Sequence, residues 1–467
     1  MGQMMRNVIK GFLLSAAFFA PGVAWSESLA DALIAAYRNS HLLEQNQAVL
    51  RAADEDVATA VGSLLPVVSF VSKLGRVETN YAEGRTPLFA SDGFSTSGSS
   101  SLQASLTLLD FGRGKTTVAL KNELVLASQA ALVNVEQQVL FDAVQAYVNV
   151  ALQADLVATQ GSNVNLISQD LQATQDRFEV GEVTKTDVSL AQAQLASAKA
   201  QLAAAQGNYT VAKERYNAAI GHYPDQLSSL PRTPITVRSL DEARAIALRT
   251  HPAITQSAHQ AKAADLGVDL AKAQMSPTVG LSTTLSEAYT TDGLTSTVTS
   301  LGLELNQTLY AGGQLSSGLR KAIAQQGQAR AGQLQTGVNV TEAVGNAWSN
   351  ILVANASIAA TEEQIGAAQA AYDGVKQEAE LGSRTTLDVL DSQQDLLSAK
   401  AAHLQAQANL SVSQYGLLAA MGLLTADQLK LGIPTFDPAA YLNAVKKAPA
   451  TSSRGAKLDK ILKTLGK

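Results

Sequence analysis

The chain contains no cysteine among its 467 residues. That absence excludes disulfides, thiol catalysis, cysteine-ligated metal centres and lipid attachment through an N-terminal cysteine, and it is compatible with an oxidising compartment. Aromatic residues make up only 5% of the chain and charged residues 16%, whereas hydrophobic residues reach 46%, largely through alanine. Such a composition favours close helix packing over aromatic-filled cores. The formal net charge of -5 lacks the basic footprint of nucleic-acid binding, so no nucleic-acid partner is expected. The five histidines have no carboxylate or nucleophile partner at useful spacing, and there is no Gly-rich phosphate loop. No enzyme activity and no cofactor are therefore expected. His251 and His259 lie eight apart on a predicted helix, but without a third ligand they do not make a metal site.

Long hydrophobic runs are scarce as well. Residues 1–26 read as a signal peptide: Arg6 and Lys10 precede an apolar run from Gly11 to Ala20, and Ala24-Trp25-Ser26 offers small residues for cleavage before Glu27. A membrane anchor is the alternative, but the run falls short of the roughly 20 residues that span a bilayer. No later segment reads as a transmembrane helix, so any insertion must use strands.

From residue 28 to about 62, Leu29, Leu33, Ala36 and Tyr37, then Leu50, Val57 and Val61, recur at helical spacing, with a polar interruption near Asn39 to His41 and a stop at Pro66. The period then changes to two. Leu102, Ala104, Leu106 and Leu108 alternate with Gln103, Ser105 and Thr107, and the run from Val68 and Phe70 is the predicted hairpin partner. Residues 82–100, rich in Gly and Ser, read as a long exposed loop. A second pair follows, carried by Val279, Leu281, Thr283 and Leu285, then by Leu301, Leu303 and Leu305, around a loop at Asp292 and Gly293. The prediction is four strands of about ten residues. Their apolar and small-polar faces fit a membrane β-barrel, with Glu304 on the inward, pore-lining face. A soluble sheet with one wet face fits the same pattern. Four strands cannot close a barrel, and open edges are intolerable in lipid, so several chains would have to share one.

Each hairpin leaves through glycine, at Gly112 and at Gly312, 200 residues apart. Beyond Gly112 no proline occurs until past Val180, which predicts a helix of roughly 100 Å. A second long helix is predicted from Gly313 to Leu381. The returning helix, Asp187 to Ile220, carries Val188, Leu195, Leu202, Tyr209 and Tyr216 at seven-residue spacing, and its sister carries Leu390, Leu397 and Leu404. These are coiled-coil seams. Two short helices end to end would match each long one. The expected organisation is a first repeat over 27–220, a Pro-marked linker over 221–240 (Pro224, Pro231, Pro234), a second repeat over 241–434, and a tail over 435–467 that is loosely packed from about Ala448.

The two turns between long and returning helices carry the clearest duplication. Gly181 and Gly382 are 201 apart, as are Asp187 and Asp388. In each, Gly ends one helix, and Thr184 to Asp187 or Thr385 to Asp388 forms a capping box that starts the next. Asp391 stands where the first copy has Leu190. An acid replacing an apolar residue points to a task beyond folding.

The motifs Arg177-Phe178-Glu179-Val180-Gly181 with Thr186-Asp187, and Gly382-Ser383-Arg384-Thr385 with Asp388-Val389-Leu390-Asp391, together with Leu65-Pro66, resemble those of TolC-family outer-membrane channels, over Glu27 to about Pro434. The resemblance implies a homotrimer whose twelve strands close one barrel in the outer membrane of a Gram-negative bacterium and continue into a long α-helical coiled-coil barrel across the periplasm. It implies a passive exit duct for type I secretion or multidrug efflux, opened by a periplasmic adaptor and an inner-membrane ABC or proton-driven pump. By the same resemblance Asp388 and Asp391 form acidic rings at the entrance, Arg384 latches it to Thr186 and Asp187, and the turns at Gly181 and Gly382 meet the adaptor. Ala379 departs from the family, which often has an aromatic residue there. A non-channel periplasmic or surface coiled-coil scaffold is the alternative.

Overall fold

The computed structural model describes residues 26–79, 93–229, 237–290, 295–434 and 436–445, with 457 and 460. Residues 1–25 of the expected signal peptide, both hairpin tips, Pro231 and Pro234 of the linker, and nearly all of the chain from Ala448 lie outside the described residues.

The order is α1 (Leu29–Asn39), α2 (His41–Gly62), β1 (Val67–Thr79), β2 (Gly93–Leu109), α3 (Arg113–Glu179) and α4 (Lys185–Ile220). It then repeats as α5 (Leu240–Thr250), α6 (Pro252–Ala273), β3 (Thr278–Thr290), β4 (Thr295–Asn306), α7 (Gln314–Glu380) and α8 (Thr386–Ala420), followed by α9 (Pro438–Val445). From α1 through β1 the counterparts are 211 apart, and from α3 onward they are 201 apart. The ten-residue difference falls in the first hairpin. It also corrects one pairing: Gly112 and Gly313, both left-handed at φ 89° and 84°, are the matching helix starts. Gly312 is not the counterpart.

Helices α3 and α7 each contain 67 residues, about 100 Å at 1.5 Å per residue. The polar break expected near residue 40 is a change of caps: Ser40 ends α1, and its hydroxyl accepts from Leu43 N to start α2. The helix α1 meets the end of α4 where Asn39 Nδ2 donates to Ile220 O at 2.9 Å, and Asn39 leaves no room for a Cβ at Gly221. In the second copy Thr250 donates to Met421 O at 2.7 Å. The short helices thus line α3 and α7 end to end. In α4 the seam residues Leu195 and Leu202 are only half-buried, while Ala191, Ala198 and Ala212 are buried. Alanine sets the spacing in the middle of α4, while the seam is buried at Tyr216 and, in α8, at Leu390 and Leu397. One expectation fails here, because α3 holds a stretch long and apolar enough to cross a membrane, a third of it buried within the chain.

The strands form one antiparallel sheet in the order β1-β2-β3-β4. They run 13, 17, 13 and 12 residues, longer than the ten expected. Residues 93–100, expected in a loop, belong to β2 and pair with β1. Apart from Phe94 and Thr96 the stretch is Ser and Gly, a sequence without hydrophobic alternation, so only the cross-strand register reveals it. Gly98 lies under the Tyr289 ring, which occupies the space a Cβ would need.

The main core sits where the short helices meet the long ones, around Leu29, Leu33, Leu140, Val144, Tyr147, Tyr216, Ile220, Leu417 and Leu424. Tyr147 fastens the linker here: its hydroxyl lies 2.9 Å from Glu27 O and 2.8 Å from Ser228 O, beside a bridge from Glu27 to Leu227. Arg113, at the start of α3, donates to Ala273 O and Ser276 O at the end of α6 and so ties the copies together below the sheet.

Candidate functional site: the paired helical turns

The turns at Gly181 and Gly382 stand at the end of the bundle opposite the sheet. Both glycines are left-handed, at φ 82° and 78°, a conformation that strains residues bearing a Cβ. In each turn the chain doubles back through a bond spanning five residues, Glu182 N to Arg177 O and Ser383 N to Glu378 O, both 2.9 Å. Both capping boxes form. Thr184 N and Oγ1 donate to Asp187 Oδ2 at 2.9 and 2.7 Å, and Thr385 repeats this on Asp388 at 2.9 and 2.8 Å.

These bonds hold the Asp187 carboxyl below the usual carboxylate range, through the Thr184 hydroxyl and then its backbone amide. Asp388 is held low by the Thr385 amide and hydroxyl, with Arg384 adding a smaller pull. Within one chain, then, both capping acids are held in their ionised form by their caps. Asp391, one turn beyond Asp388, and Thr186 are exposed.

Among the described ion pairs, Arg384 does not meet Asp187. Its Nε donates to Glu378 Oε2 at 2.8 Å, across its own turn. The first turn is bridged by Arg177 Nε to Glu182 Oε2 at 3.3 Å. Glu378 is the counterpart of Arg177, 201 residues on, so the two copies bridge their turns with opposite polarity. Sequence reasoning overlooked Glu378 and Glu182, although each lies five or six residues from its arginine across a turn. The turns also touch: Arg177 Nη2 reaches Glu380 O at 3.5 Å. Between them is a cavity of about 250 Å³, lined by Asp170, Thr174, Arg177, Lys376, Glu380 and Leu390. Deeper in, Gln393 Nε2 donates to Asn163 Oδ1 at 3.0 Å in a buried link between α8 and α3.

No metal cluster exists among the described residues. His259 Nδ1 pairs with Glu123 Oε2 at 2.6 Å. His251 caps α6 by accepting from Ala253 N, and burial lowers its pKa. On the sheet, Glu304 lies opposite Gly280, on the face shared with Ser282 and Gly302.

The sequence model of the family described as "Outer membrane efflux protein" matches residues 33–222 and 244–423. The outer membrane efflux protein BepC of Brucella suis is 34% identical over 442 residues, covering 94% of this chain and 95% of the relative. The outer membrane protein TolC of Escherichia coli is 25% identical over 459 residues, covering 93% and 91%. Among solved structures, the outer membrane protein VceC of Vibrio cholerae has a TM-score of 0.72 at 23% identity, covering 84% of this chain and 96% of that one. The duplicated helical body, the open sheet and these matches agree: the chain belongs to the outer membrane efflux protein family, as a TolC-like channel protein of the outer membrane.

Proposed function

We propose that three copies of this chain close a twelve-stranded barrel and a helical tunnel, forming a passive duct for substances leaving the cell. The observation that carries this reading is a set of contacts made by the first repeat and lacking a sister within one chain. Strand β2 pairs with β3, and α3 packs on α6 and α8. By the duplication, β4 should pair with β1, and α7 should pack on α2 and α4; among the described elements β4 and β1 are both sheet edges and α7 has no extensive packing on either helix. All the missing contacts fall on one flank. Along that flank α7 leaves Leu334, Val338, Leu352 and Val353 exposed, and α4 leaves Val211 exposed. A neighbouring copy supplies every absent partner at once, and cyclic repetition removes the sheet edges that lipid would not tolerate.

The outer face of such a barrel carries Val68, Phe70, Leu74, Leu301, Leu303 and Leu305. Leu301 is 75% exposed in the single chain, as a lipid-facing residue should be. The opposite face, with Ser69, Gln103, Thr284 and Ser300, suits a water-filled lumen. At the far end the six turns gather into an entrance, where Asp388 and Asp391 place carboxylates that favour cations. Arg384 then serves as a latch toward Thr186 and Asp187 of an adjacent turn, shared with Glu378. The turns around Gly181 and Gly382 are the docking points for a periplasmic adaptor, which recruits an inner-membrane ABC or proton-driven pump. Type I secretion and multidrug efflux are both served by such a duct, since cargo is selected by the pump.

The test is conductance of the purified protein in a planar lipid bilayer. Long-lived, cation-selective steps are expected, and Arg384→Ser should enlarge them. Silence from a folded, trimeric protein and from its Arg384→Ser variant alike would overturn the reading.

A further inference from the structure

Asp54, in the middle of α2, is completely buried, and neither carboxylate oxygen has a hydrogen-bond partner among the described residues. Its counterpart in the second repeat, 211 residues on, is Asp265. That residue is partnered: Gln326 Nε2 and Arg330 Nη2 of α7 donate to it at 2.8 and 2.9 Å. The first-repeat counterparts of those partners, 201 residues back, are Val125 and Gln129. The arginine is absent. Gln129 is turned away, donating instead to Pro438 O at the start of α9, at 3.4 Å.

The helix α9 lies on α2, and its Tyr441 hydroxyl donates to Glu55 Oε1 at 2.8 Å. Tyr441 is near enough for the charges of Glu55 and Asp54 to help burial raise its phenol pKa. No equivalent helix follows α8 onto α6 among the described elements, and Asp265 remains half-exposed. One repeat therefore balances its acid with arginine. The other leaves its acid buried and unpaired, with a terminal helix packed on the same α2.

The charged groups around Asp54 do not compensate it. On α2 these are Arg51, Glu55 and Asp56; Asp56 already binds Lys121 of α3 at 2.7 Å, and α9 contributes only Tyr441. Burial, then Glu55, pushes Asp54 up to about 6.

We propose that Asp54 is a protonation-controlled clasp for the C-terminal helix: α9 closes over α2 and α3 while Asp54 is neutral, and loosens when it ionises. A carboxyl that binds its proton more tightly in the closed form favours that form at low pH. With α9 lifted, water reaches Asp54 and its pKa returns toward the usual 3.8. Closure is thus strongest below about pH 4 and declines as pH rises through about 6, by up to about a hundredfold in the closing equilibrium. The state of the clasp thus sets whether α9 remains bound along α2.

The absence of cysteine makes the test direct. Asn443, exposed on α9, is replaced by cysteine and spin-labelled in the full-length protein in detergent. The mobile fraction of the label is read between about pH 4 and pH 8, a range that spans the change from the open to the closed pKa of Asp54. It should rise with pH and level off above about 6. Asp54→Asn should keep the label immobile throughout. Gln129→Arg, which restores the partner found in the other repeat, should also flatten the response by pairing the ionised acid. A label whose mobility ignores pH in the parent protein overturns the proposal, as does a pH response that survives Asp54→Asn.

Discussion

Arg384 Nε lies 2.8 Å from Glu378 Oε2, bridging the second helical turn within one chain, while Asp187, the acid it is expected to latch, is engaged by Thr184. Arg384 thus has two claimants. Removing the arginine and removing its partner within the chain should shift the entrance in opposite directions. Arg384→Ser should raise single-channel conductance severalfold, because neither acid is then bridged. Glu378→Gln frees the guanidinium for the neighbouring turn and should lower conductance, with longer closed times. Both side chains are about half-exposed, so the thermal midpoint should barely move, as for most surface ion pairs. A rise in conductance in both variants would mean that Glu378, not Asp187, is the acid that matters for closure.

The capping acids predict a pH range for the tips. Folding lowers the pKa of Asp187 and Asp388, so each stabilises its turn above its unfolded value of 3.8 and ceases to do so as pH falls through its lower, folded value. The turns should therefore keep their amide protection from neutral pH down to about 4 and lose it only below that. Removing the hydroxyl partner should have an effect at neutral pH. Thr385→Ala is expected to cost about 1 kcal/mol and to speed local hydrogen exchange about fivefold, with Thr184→Ala doing the same in the first copy.

Gly98 predicts a steric requirement inside the sheet. The Tyr289 ring covers it across the β2–β3 pair, so Gly98→Val should reduce the protease-resistant fraction that inserts into lipid vesicles by an order of magnitude. Tyr289→Ala in the same background vacates the space and should restore much of it. If Tyr289→Ala fails to rescue, the Tyr289 ring is not the obstacle, since valine is favoured over glycine both in strands and facing lipid.

These turns and faces were legible because local chemistry decides them. A glycine that must be left-handed, a Thr-x-x-Asp cap and a strict seven-residue seam leave marks in sequence, and so the capping boxes and the ends of α3 and α7 follow within a residue or two. Residues 93–100 left no such mark: serine and glycine occupy both faces, and only pairing with β1 and β3 makes them a strand. The helix α9 is held by α2 and by Gln129, contacts more than 300 residues distant in sequence. Glu378 was missed for a different reason. No motif marks it, and its role follows only from its reach across its own turn to Arg384.

The duplication itself supplies the last prediction, because it separates the two entrance acids. Asp388 has a counterpart in Asp187, and both cap a helix. Asp391 replaces Leu190, and the next turn of α8 asks nothing of it: Leu390 is buried beside it while Asp391 is exposed. Asp391→Asn should therefore weaken cation preference and block by multivalent cations without changing hydrogen exchange at the turn. Asp388→Asn should do both, since its carboxylate is also the acceptor for two Thr385 bonds. Asp391→Leu, which copies the first repeat, should fold as well as the parent and lose the same selectivity. Reversal potentials in a salt gradient, paired with exchange rates at Thr385 to Asp388, read the two effects separately. Unchanged selectivity in the Asp388→Asn, Asp391→Asn double variant would remove the acidic-ring role from both residues and leave Asp388 as a cap alone.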